Sequence, residues 1–125
     1  MKKKNGFLYV LRHPSLSFAD WGLSEGEYLY KIGVTTRTVE IRLKQHNTDF
    51  TKAAGKIVEE TGQVWEVQQI VAVEDVYVAE SLFWRHSKYA DIPFLGGVEI
   101  VPMTVSDMES AINALLRLSK GSAKL

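Results

Sequence analysis

The stretch YLYKIGVTTRTVEIRLKQHN, residues 28–47, begins with a strand pattern and ends with a helical one, and that change constrains the fold more than any other feature. YLYKIGV (28–34) is rich in aromatic and β-branched residues and reads as a strand. An earlier run, GFLYVLR (6–12), has the same character and ends near Arg12, so the two form a hairpin-like pair. Gly33 lets the chain pass closely where a side chain would obstruct. Thr36 or Thr38 can cap the helix that follows. In that helix Val39 and Leu43 lie one turn apart, while Arg42 and His46 share an i, i+4 stripe bordering the buried one.

The rest of the chain supplies a third strand over 64–73, an amphipathic helix over 75–90 with the rhythm Val76, Ala79, Phe83, and a last helix. SDME (106–109) reads as a capping box opening that helix, with Met108, Ile112, Leu115 and Leu116 facing inward. HPSLSFADWGLSEGE reads as loop, and DIPFLGGVEIVP as loop with at most a short strand. The expected order is β-β-α-β-α-α: an α/β (α+β) single domain over 1–125, core about 6–118, with a three-stranded, mostly antiparallel sheet flanked by helices. At 125 residues and 46% hydrophobic, one core is all the chain can build.

No cysteine is present, which removes disulfides, thiolate metal sites and thiol nucleophiles and suits a reducing cytoplasm. No apolar run marks a signal peptide or a membrane span, so a cytoplasmic protein without a membrane partner is expected. Net charge is zero, yet residues 31–57 carry six Lys/Arg against Glu40 and Asp49. Arg37, Lys44, Lys52 and Lys56 are thus candidate phosphate contacts on a local basic face. Charge alone fits a solvated mixed surface equally well.

FLY (7–9), YKIG (30–33), Arg42 nine residues on, His46 four later and Glu80 in a subsequent helix occur in an order that resembles the GIY-YIG nuclease superfamily. The resemblance is nearest to its small phage-associated branch with a YKIG second motif, and it covers about residues 6–100. Phe7 and Leu8 stand where the family name has Gly and Ile, and the Asn usual downstream of the Glu has no match in DIPFLGG.

The resemblance implies metal-dependent hydrolysis of phosphodiester bonds in DNA, with RNA an open alternative. Tyr9 and Lys31 flank the attacking water, Arg42 holds the phosphate with His46 beside it, and Glu80 is the one protein ligand of Mg²⁺ or Mn²⁺. Lys31 as general base needs a neutral amine. Tyr9 as base, with Lys31 orienting the water, is the alternative. Taken singly, the residues have plainer readings: Tyr9 a packing aromatic, Lys31 an exposed strand residue, Arg42 a surface partner of Glu40 or Asp49. His46 fits a histidine favoured by a helix C-terminus, Glu80 a surface carboxylate, and Trp84 and His86 packing residues. The rival function is a catalytically inactive nucleic-acid or protein-binding module, or a phage or mobile-element regulator. One cleft cuts one strand, so double-strand cleavage requires a homodimer or a second visit.

Overall fold

The computed structural model describes residues 4–14, 23, 25–87, 89 and 100–124. Much of both expected loops, 15–22 and 91–99, lies outside the described residues. Strands β1 (Gly6–Arg12) and β2 (Glu27–Thr35) are followed by helices α1 (Val39–Thr48) and α2 (Ala53–Thr61). Then come β3 (Glu66–Val73), α3 (Val76–Arg85), β4 (Ile100–Thr104) and α4 (Val105–Lys124). The sheet has four antiparallel strands in the order β3-β1-β2-β4. The α+β class is as expected, but the sheet gains a strand and the order gains a helix.

The extra strand, IVPMT, pairs with β2 at the sheet edge, where among the described residues Pro102 faces no further strand, the position in which a missing N–H is tolerated. Tyr89 donates its hydroxyl hydrogen to the Pro102 carbonyl. The extra helix, α2, comes from AAGKIVEET, an amphipathic segment of nine residues with Ala54, Ile57 and Val58 on its buried face. Gly55 is needed inside it because a Cβ there would run into the Asp49 carbonyl. The last helix starts one residue before the expected box. Thr104, not Ser106, accepts the Asp107 amide through Oγ1 at 3.1 Å, since the chain leaves β4 straight into the helix.

Side chains alternate across β1 and divide the core into two layers. Leu8 and Val10 pack with Ala79, Phe83 and Trp84 of α3 and with Met108, Ile112 and Leu115 of α4. Tyr9 and Leu11 pack on the other face with Val39 of α1, with Ala54, Ile57 and Val58 of α2, and with Trp65. Helices therefore cover both faces of the sheet. His86, expected in the core, is exposed just past the end of α3.

Candidate active site

The β1–β2 register sets Tyr9 opposite Gly33 and Leu11 opposite Lys31. Residues facing each other across a ladder share a face, so Tyr9 and Lys31 are diagonal neighbours beneath α1 and α2. Tyr9 is 1% exposed, and its ring lies across β2 at Gly33. A Cβ on Gly33 would stand 2.5 Å from Tyr9 Cζ. The glycine of YKIG thus makes room for the tyrosine of FLY.

The Tyr9 hydroxyl reaches α1, where it lies 2.9 Å from His46 Nε2 in a hydrogen bond whose donor depends on the imidazole tautomer. The two rings are 5.9 Å apart and tilted by 39°. A bond between residues 37 apart in sequence singles out His46 beyond a favourable helix-end position. Lys31 is 4% exposed, which overturns its reading as an exposed strand residue: the α1–α2 layer covers its face of the sheet.

Arg42 is half-buried one turn before His46. Its Nη1 donates to Gln45 Oε1 at 2.9 Å, so neither Glu40 nor Asp49 holds it. Its Nε is buried without a hydrogen-bond partner. A buried donor of this kind is costly unless something satisfies it, and an oxyanion is the group a guanidinium fork suits.

Asn47, which sequence reasoning missed, fixes the end of α1. Its Oδ1 accepts from the Trp65 amide at 2.8 Å, and its Nδ2 donates to the Trp65 carbonyl at 3.4 Å. Trp65 is itself held by its indole, which donates to the Ala54 carbonyl at 3.0 Å. No local signal in QHNTD announces this clamp, because its partner is 18 residues away.

Glu80 is half-buried on α3, whose apolar residues belong to the layer on the far side of the sheet. The first turn of α3 is tied to the residues before β1 by a bond of 2.9 Å from the Val76 amide to the Lys4 carbonyl. Glu80 follows one turn later. A groove of about 500 Å³ opens at this end of the sheet, lined by Gly6, Phe7, Thr36 and Glu74 among others. Arg37, Lys44, Lys52 and Lys56 are all exposed in or beside α1 and α2, the layer over Tyr9. No group of three or more His, Asp or Glu residues with metal-holding geometry occurs among the described residues.

A tyrosine–histidine pair seated over a strand glycine, with a buried lysine on the same face and basic residues on the covering helices, characterises this small α+β domain. The chain belongs to the T5orf172 domain family, which matches residues 6–115. That family is phage-associated and nuclease-related. No curated protein and no solved structure matches the chain. No helix among the described residues is long and apolar enough to cross a membrane.

Proposed function

We propose that the domain is a GIY-YIG-type endonuclease that hydrolyses phosphodiester bonds in DNA with a divalent cation, Mg²⁺ or Mn²⁺. The observation that carries this reading is the Tyr9 hydroxyl held by His46 above Gly33, with Lys31 on the same face. In the reaction, water attacks phosphorus while the bond to the leaving oxygen breaks. The proton of the water passes to the Tyr9 oxygen as that hydroxyl gives its own hydrogen to His46 Nε2, in the tautomer where Nε2 accepts. Lys31 takes the water's proton instead only as the neutral amine; charged, it orients the water. Arg42 receives a phosphate oxygen, and the charge growing there strengthens the contact.

A single carboxylate, Glu80, fits Mg²⁺, which retains waters and takes substrate oxygens rather than requiring an all-protein cage. The cation, when bound, supplies positive charge to the phosphoryl and leaving oxygens. Glu80 would hold it from the α3 layer, and the exposed basic residues of α1 and α2 would engage flanking phosphates.

The test is nicking of supercoiled plasmid in Mg²⁺ and in EDTA, by the wild type and by Glu80→Ala. Nicking should require Mg²⁺ and disappear in the variant, while circular dichroism stays unchanged because a half-buried carboxylate adds little packing. Equal nicking by both proteins would remove Glu80 from the site. Salt-sensitive DNA binding with no nicking under any condition would identify a binding module instead.

A further inference from the structure

The face of the sheet turned away from Tyr9 carries a separate cleft of about 350 Å³ between β1, β3 and α4. Val10, Met108 and Ile112 give it an apolar wall, and Arg12 and Glu109 bring opposite charges to its lining. Arg12 is held against two aromatic neighbours, Tyr28 and Tyr30. Its guanidinium carbon lies 4.6 Å from the centre of the Tyr28 ring, a stacking that orients the planar fork. Its Nε is buried with no hydrogen-bond partner. Arg12 and Glu109 line the same cleft, yet among the described residues they form no ion pair with each other. The buried Tyr30 phenol, also in the lining, has its pKa raised by burial foremost and drawn back by Arg12, while Glu109 adds to the rise. All three groups therefore lie within electrostatic reach of one another.

Glu66 stands opposite Arg12 in the β1–β3 register and Glu109 shares its cleft, yet among the described residues neither is ion-paired with this half-buried cation, an arrangement a ligand can complete. A phosphate dianion would suit the fork but would meet Glu109, and an apolar molecule would leave Arg12 uncompensated. A ligand bearing both charges on a small apolar body satisfies every group. We infer that this cleft binds a free α-amino acid with an apolar side chain, its carboxylate on Arg12, its ammonium on Glu109 and its side chain against Val10, Met108 and Ile112. The volume lies at the small end of the range for ligand sites, about 300–1,000 Å³. The site stands on groups the nuclease reading does not use, so either can fail without the other.

The test is a ¹⁵N-resolved titration of the full chain with L-leucine, N-acetyl-L-leucine and L-leucinamide. Leucine should shift amides in β1, β3 and α4. Each blocked form, having lost one charged contact, should bind roughly tenfold or more weakly. Glu109→Gln, at an exposed position, should keep the fold and lose the preference for leucine over its acetylated form. Arg12→Lys keeps the charge and loses the fork, and should weaken leucine roughly tenfold. No shifts at ligand concentrations on the order of 10 mM, or three compounds binding alike, overturn the proposal.

Discussion

Tyr9 and Gly33 are interdependent, because the phenol ring occupies the volume a side chain at 33 would need. Gly33→Ala should therefore push the ring off β2, break the bond to His46 and destabilise the fold by about 1–3 kcal/mol, the usual cost of overpacking. Urea unfolding measures the loss, and the nicking rate should fall further than stability explains. Arg42→Lys separates charge from geometry: the ammonium keeps the charge but lacks the fork. Cleavage under single-turnover conditions should slow by roughly 10² to 10³, the typical effect of one preorganised contact. A folded variant cutting within a few-fold of wild type would return Arg42 to the surface. The order of residues in the chain suggested Tyr9, Lys31, Arg42, His46 and Glu80 as candidates, but the Tyr9–His46 bond was not legible there. It depends on α1 crossing above β1, a tertiary fact that neither motif encodes alone. The burial of Lys31 was hidden for the same reason, since strand alternation gives its face and not what covers that face.

At the scale of elements, β1, β2 and α3 were legible because their apolar periods are clean and their ends carry Gly or Asp signals, whereas in α1 only Val39 is buried and Thr38, at the cap position, makes no side-chain bond. Asp75 accepts the Tyr77 amide at 3.0 Å and caps α3 where that helix was expected to start. Helix α2 escaped because it is only nine residues long and carries Gly55 inside it, although Ala54, Ile57 and Val58 form one buried face. Strand β4 was obscured by Pro102, which is tolerated only because the strand is an edge. The Asn47 clamp ties the end of α1 to the start of β3, so it positions His46 from one residue away. Asn47→Ala leaves the Trp65 amide without its partner, at a cost of about 1–3 kcal/mol. The melting temperature should drop by several degrees, and cleavage at saturating DNA should fall while DNA affinity holds. Unchanged cleavage at reduced stability would show that the clamp serves the fold alone.

For the molecule as a whole, one expected contribution to acid sensitivity comes from a histidine outside the candidate active site. His13 is fully buried, and its Nε2 lies 3.0 Å from the Gln63 carbonyl and 3.2 Å from Thr61 Oγ1. Burial lowers its pKa below the ordinary 6.5, against smaller opposing effects of the Gln63 carbonyl and Glu66. The unfolded chain therefore binds this proton more readily than the native one. Its stability contribution is complete above about pH 6.5 and is lost as pH falls toward the lower native value. Melting temperature should decline between about pH 7 and pH 5 in the wild type, and His13→Gln should flatten that limb. An identical decline in the variant would assign the effect to other groups. Asp49 belongs to a lower window: the Thr51 hydroxyl, foremost, and the Thr51 amide hold its carboxyl below the usual range, so its contribution fades only as pH falls below about 4.

The His13 ring also stands edge-on to the Trp65 indole, 5.3 Å between centres at 71°. A protonated imidazole at that distance quenches indole emission, whereas a neutral one does so far less. Emission from Trp65 should therefore dim as His13 charges, a signal isolated by replacing Trp21 and Trp84 with phenylalanine. Asn47 grips the same tryptophan beside His46, so that emission should also change when α1 loosens over Tyr9.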